Sequence, residues 1–185
     1  MWSPVEKTAL AEAEIEYHDH VSTTIFARFP IKKAPLEILN DYEIIIWTTT
    51  PWTMPGNRAV AYGKDIDYSL LEITSVNENS LAKIGDKIVV ANQLLEEVIK
   101  ELSISNYNVS KKLKGSDFEG SILAHPLNGY GYDHDVLLLE AEFVTTDQGT
   151  GFVHIAPGHG ADDFELGKKH NLPIPETVSD NGILD

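Results

Sequence analysis

Apolar and β-branched residues come in short dense runs separated by Gly, Pro, Asp and Asn, a pattern that predicts strands rather than long helices. Residues 21–29 (VSTTIFARF) form the first such run, and Pro30 and Pro35 punctuate the segment after it. Residues 42–47 (YEIIIW) lack polar alternation, which marks a strand buried on both faces. Its carboxyl end leads into Thr48, Thr49 and Thr50 and then meets Pro51. Further short strands are predicted over 58–62, 68–74 and 87–90, with a spacing that suggests a meandering or barrel-like sheet.

Between 91 and 102 the apolar residues Leu94, Leu95, Val98, Ile99 and Leu102 recur at helical spacing opposite Glu96, Glu97, Lys100 and Glu101, which predicts an amphipathic helix. Lys111, Lys112 and Lys114 read as a solvated turn, and HPLNGYGYDHD, 125–135, as a loop. A strand is expected over 136–144, a turn at 149–151, another strand over 152–156 that Pro157 stops, and a helix from about Ala161. Without repeats, low-complexity tracts or Ser/Gly linkers, the expectation is one mainly β domain, 1–185, with peripheral α-helices, cut from a longer chain.

Composition narrows the partners. With 29 acidic against 14 basic residues, a net charge of −15, bulk attraction to a phosphate backbone is excluded, so any nucleic-acid contact must be local. The cations available for it are Arg28, Lys32, Lys33, Arg58 and the cluster Lys111 to Lys114. Cysteine is absent, which removes disulfides, thiolate nucleophiles and Cys-ligated zinc and makes a reducing compartment the default expectation. No window approaches a membrane span and the acidic amino-terminal stretch is unlike a signal peptide; a soluble, cytoplasmic chain without membrane association is expected.

Two segments could carry chemistry. In an extended chain Thr48 and Thr50 point one way and Thr49 the other, so hydroxyls crowd a strand end where they could position a polar substrate or an attacking water; threonine is equally an ordinary strand former there, and Asn57 an ordinary turn residue. The second segment, GTGFVHIAPGHGADDFELGKKH (149–170), is a turn, strand, Gly-rich loop and helix start. Asp162 and Asp163 fall at the amino end of that helix: one is expected to cap it, the other is free to hold a cation such as a primary ammonium. His154 and His159 lie nearby, but their spacing with the aspartates matches no zinc or calcium loop, and the pair His18 and His20 is expected to be exposed. No Walker loop, dinucleotide fingerprint or GxSxG elbow is present.

WSPVEKTALAEAEIEY near the start, WTTTPWTMPGNRAVA at 47–61 and GTGFVHIAPGHGADDF at 149–164 together resemble the editing domain of isoleucyl-tRNA synthetase, of bacterial type, over nearly the whole chain. The TTTPWT form separates it from the valine and leucine members of the group. The resemblance implies a closed β-barrel core of about six strands with helices around it. It implies that Thr48, Thr49, Thr50 and Asn57 line a hydrolytic pocket, that Trp52 stands beside it, that Asp163 rather than Asp162 anchors the amino acid's α-ammonium, and that His154 blocks a larger side chain.

The implied reaction is hydrolysis of valine mischarged onto tRNA(Ile), with valyl-adenylate as a second candidate substrate and no cofactor or metal in this domain. His-Ile-Gly-His and Lys-Met-Ser-Lys signatures are missing, so use of ATP is expected only in the synthetic domain of a parent enzyme. The implied partners are the acceptor end of the tRNA and the remainder of that synthetase, with the chain itself a monomer. The alternatives are a noncatalytic module that grips an amine-bearing ligand or the acceptor end, and a valyl-type domain that removes threonine.

Overall fold

The computed structural model describes residues 1–184. Its strands are β1 (Trp2–Ser3), β2 (Thr8–Ala9), β3 (Ile25–Lys33), β4 (Glu43–Thr48), β5 (Ala59–Tyr62), β6 (Asp67–Val76), β7 (Lys87–Ala91), β8 (Ile104–Lys114), β9 (Ile122–Ala124), β10 (Asp135–Glu140) and β11 (Phe152–Ile155). The α-helices are α1 (Leu95–Glu101) and α2 (Ala161–Lys169). Strands β1 and β2 form a separate hairpin; the other nine make one mixed sheet in the order β11-β5-β10-β9-β3-β4-β7-β6-β8.

The sheet bends at β3. Its first part, Ile25 to Pro30, pairs antiparallel with β4, and its last part, Ile31 and Lys33, pairs with β9 across an irregular register. Pro30 sits at the hand-over, where a residue without an N–H ends one ladder at no cost in lost hydrogen bonds and an irregular register turns the strand. Strand β4 lies between β3 and the parallel β7, and its Ile44, Ile45 and Ile46 are buried, as expected of an unalternating apolar run.

The bend brings the two ends of the sheet over one core. Tyr68 on β6 packs on Phe152 of β11 with ring centroids 4.6 Å apart, and Phe118 stands edge-on to both at 5.2 and 5.7 Å. The buried Tyr68 hydroxyl donates to the Gly151 carbonyl at 2.7 Å and accepts from the Gly63 N–H at 3.1 Å. The fold is thus mainly β and wraps like a barrel. Hydrogen-bonded closure is not seen among the described residues: β8 and β11 end the pairing order, and the sheet has nine strands rather than six.

Other expectations shift in detail. The first predicted strand starts at Ile25 rather than 21, the strand from 136 ends at Glu140, and the helix over 91–102 is a 3-10 turn at Asn92–Leu94 followed by the shorter α1. The lysine cluster is not in a turn: Lys111, Lys112 and Lys114 lie on β8, an edge strand whose charges discourage further pairing. No helix among the described residues is long and apolar enough to cross a membrane.

Gly151 is required by this wrapping. Its φ is +85°, and a Cβ there would stand 2.3 Å from the Ala91 Cβ and 3.3 Å from the Tyr68 ring. Gly151→Ala combines a left-handed backbone with overpacking and should destabilise the protein by about 2–4 kcal/mol, read as a lower urea midpoint at unchanged slope; an unshifted midpoint would contradict this packing.

Candidate functional site

Strand β4 ends in the threonines, and their alternation follows from the pleat. Thr48 is buried, Thr49 exposed and Thr50 half-buried; the Thr48 and Thr50 hydroxyls are 3.2 Å apart, and the Thr50 N–H donates to Thr48 Oγ1 at 3.1 Å. Thr49 faces away, its carbonyl accepting from the Ser22 hydroxyl at 2.9 Å. Pro51 then opens a 3-10 turn, Pro51–Gly56, that carries Trp52 on its outside, 48% exposed, and Thr53 inside, with Thr53 Oγ1 donating to the Thr50 carbonyl at 2.8 Å.

Asn57 closes that turn and is completely buried. Its amide nitrogen donates to the Ala59 carbonyl at 2.8 Å and approaches the Ile155 carbonyl at 3.3 Å, which fixes the orientation of the amide. The same nitrogen meets His154 Nδ1 at 2.7 Å, so Nδ1 is an acceptor and the ring proton sits on Nε2. Nε2 then donates to Thr53 Oγ1 at 2.9 Å, and the Thr53 hydroxyl in turn donates to the Thr50 carbonyl. One directed chain of hydrogen bonds, Asn57 to His154 to Thr53 to Thr50, therefore joins β11 to the end of β4. Burial, followed by repulsion from His125 and His159, pushes the His154 pKa down to about 4, so the imidazole is neutral at pH 7. Asn57 Oδ1 is buried without a partner.

Asp163 reaches the same region from α2. Its Oδ2 accepts from the Ala156 N–H at 2.8 Å, and Ala156 directly follows β11. Burial raises its pKa above the ordinary carboxylate value and Asp162 adds to the shift, while the Ala156 N–H and His159 oppose it. Its Oδ1 accepts no hydrogen bond from another residue among those described. Gly160, the residue before α2, offers no side-chain cap, and neither aspartate caps in the expected way; Asp162 is exposed and lines a cavity of about 490 Å³ with Glu140, Glu142, Glu165 and Lys169. The loop before α2 closes on the threonine turn through Gly56, where a Cβ would be 3.0 Å from the His159 ring.

The structure thus brings Thr48, Thr50, Asn57 and His154 into one network, sets Asp163 against the residue that follows β11, and leaves Thr49 and Trp52 on the outside. Thr53 escaped the sequence reading, although its position three residues after Thr50 suits a 3-10 turn. Among the described residues no three His, Asp or Glu side chains gather as a metal site, and His18 is exposed beside Glu16.

A family model described as "Leucyl-tRNA synthetase, editing domain" matches residues 36–183, and the chain belongs to that family. Solved structures share the fold: the P. knowlesi cytosolic leucyl-tRNA synthetase editing domain has a TM-score of 0.58 at 12% identity, covering 83% of this chain and 66% of that one. The corresponding P. falciparum domain has 0.54 at 18% identity, covering 72% and 49%.

Within the group, the likeness runs to the isoleucine enzymes. Isoleucine–tRNA ligase of Gluconobacter oxydans is 53% identical over 98% of the chain, and that of Pelagibacter ubique 50% identical over 98%. The resemblance to an isoleucyl-tRNA synthetase editing domain is therefore borne out. The chain spans about one fifth of the length of these relatives, 19% and 20%.

Because Nδ1 accepts from Asn57 and the ring is buried, His154 should stay neutral, with its proton on Nε2, down to a midpoint of about 4 in an NMR titration. The folded chain then binds fewer protons here than the unfolded one between pH 4 and 6.5, so this group's contribution to stability is complete above 6.5 and is lost as pH falls towards 4. A midpoint near 6.5 would contradict the burial of the ring, and a proton on Nδ1 the Asn57 clamp.

Proposed function

We propose that this domain proofreads by hydrolysing the ester of valine mischarged onto tRNA(Ile), and that it spares isoleucine by size. The observation that carries the reading is the clamped, neutral His154 joined to the threonines on one side, with the half-buried Asp163 of α2 bound to Ala156 at the end of the same strand. A carboxylate with one oxygen left open, raised in pKa by burial, gains most from a cationic guest, and the α-ammonium of an aminoacyl ester is such a guest. A neutral imidazole fixed by two hydrogen bonds is a rigid wall rather than a general base. It rejects by overlap, which is steep, where a lost contact discriminates only shallowly.

Energetics give the domain its purpose. One methylene in an apolar pocket is worth about 1–3 kcal/mol, and isoleucine against valine is the standard illustration of that limit. A second site that admits only the smaller side chain supplies the missing selectivity. In the reaction a water oxygen attacks the ester carbonyl carbon, the bond to the terminal ribose oxygen breaks, and the proton released by water passes to that oxygen. Valine and uncharged tRNA result. Thr48 and Thr50 hold the water or the carbonyl through their hydroxyls, and the ribose hydroxyl of the substrate assists; positioning supplies the rate in this scheme. No cofactor is assigned to the domain, ATP being used by the synthetic part of a parent enzyme. The remainder of that enzyme and the tRNA acceptor end are the proposed partners, in the cytoplasm.

Asp163→Ala should lose hydrolysis of valyl-tRNA by at least about 100-fold while the chain remains folded, followed as release of labelled valine. Turnover at the wild-type rate would remove the ammonium anchor from the account. His154→Ala opens the wall, so this variant should hydrolyse isoleucyl-tRNA, which the wild type spares; an untouched isoleucyl ester would refute the steric role. Faster loss of threonyl than of valyl ester by the wild type would point to valyl-type editing instead.

A further inference from the structure

The chain has two arginines, and they are treated differently. Arg28 is tied to Glu43 at 3.2 Å and Asp86 at 2.5 Å. Lys32 is paired with Asp135, and Lys114 with Asp67 at 2.8 Å. Arg58, in a chain of charge −15, has no carboxylate within ion-pair distance among the described residues. Its Nη1 is held by the carbonyls of Pro55 at 3.2 Å and Asn57 at 2.5 Å, while Nε and Nη2 have no acceptor among the described residues and are not buried. The half-buried guanidinium is thus anchored by one end, and the other end of its fork is free of protein acceptors among the described residues.

Its surroundings suit nucleic acid. His134 Nε2 donates to the same Asn57 carbonyl at 3.1 Å and lies 3.4 Å from Arg58 Nη1, and Tyr132 stacks on His125 with centroids 5.1 Å apart. The guanidinium sits on the turn that ends in Asn57, through the Pro55 and Asn57 carbonyls, and the Arg58 main chain meets the strand end of the site: its N–H donates to the Ile155 carbonyl at 2.9 Å, and the next residue, Ala156, donates to Asp163.

We propose that Arg58 is a phosphate-binding residue for the single-stranded 3′ end of the RNA, gripping a backbone phosphate beside the nucleotide whose ester enters the site. This rests on the editing reading, because that reading puts an RNA end at Asp163. An open guanidinium fork matches phosphate oxygens in a way a lysine does not, and it remains charged although burial lowers its pKa. Since the chain repels RNA as a whole, local contacts of this kind must supply the attraction.

The test is binding of an unacylated RNA hairpin ending in single-stranded CCA, followed by fluorescence anisotropy over a range of salt concentrations, with the full chain. Arg58→Gln should weaken binding several-fold and flatten the slope of log affinity against log salt by about 0.7, one phosphate contact on a single strand. Arg58→Lys should restore the slope but only part of the affinity. Unchanged affinity and slope in Arg58→Gln, or no binding by the wild type, overturns the proposal. So does an equal loss in both variants at the wild-type slope, which would make Arg58 a support for the Asn57 turn. The readout needs no hydrolysis, so failure of valyl-ester cleavage would sink the editing reading while leaving this result legible.

Discussion

The hydrogen bond from the Asn57 amide to His154 Nδ1, 2.7 Å long and backed by two carbonyls that hold the amide in place, is the interaction on which the site depends. It decides the tautomer of the ring, and the tautomer decides that Nε2 donates towards Thr53 and so towards the threonine end of β4. Burial of the ring acts on its charge instead, because it penalises the protonated form and keeps His154 from acting as a cationic partner.

The fold exists in the form it does to hold those two strand ends together. Strands β4 and β11 are distant in the pairing order, yet β11 pairs with β5, the strand that begins just after Asn57. The bend at Pro30 and the aromatic contact of Tyr68 with Phe152 bring the halves of the sheet round on each other. Gly151 then lets the connecting segment approach more closely than a side chain would allow, and Gly56 gives the His159 ring a close fit. Thr48 and His154 are thus fixed by backbone ladders, and Thr50 by its N–H bond to Thr48 Oγ1 just past the end of β4.

Much of this was legible in the sequence because burial on both faces leaves a strong mark. The isoleucine run of β4 announced itself and its alternation placed Thr48 and Thr50 on one side. The start of α2 was equally plain from the glycines before it and the paired aspartates in its first turn. Strand β8 was missed for the opposite reason: it lies at the sheet edge, only Ile104 and Leu113 are buried along it, and its exposed Asn, Ser and Lys residues carry no period-two signal. Nor could composition reveal that Asp163 would be tied to Ala156 rather than cap its helix, or that Thr53 would complete the chain from His154. Both depend on how separate segments meet in space, the second across 101 residues of sequence.

The most direct measurement is a crystal structure of the domain with a valyl-adenosine analogue whose ester oxygen is replaced by nitrogen, so that it binds without being cleaved. The account predicts the analogue's ammonium on the open oxygen of Asp163, its isopropyl group against the His154 ring and its carbonyl within reach of Thr48 and Thr50. An analogue seated away from Asp163, or one whose side chain points away from His154, would contradict it.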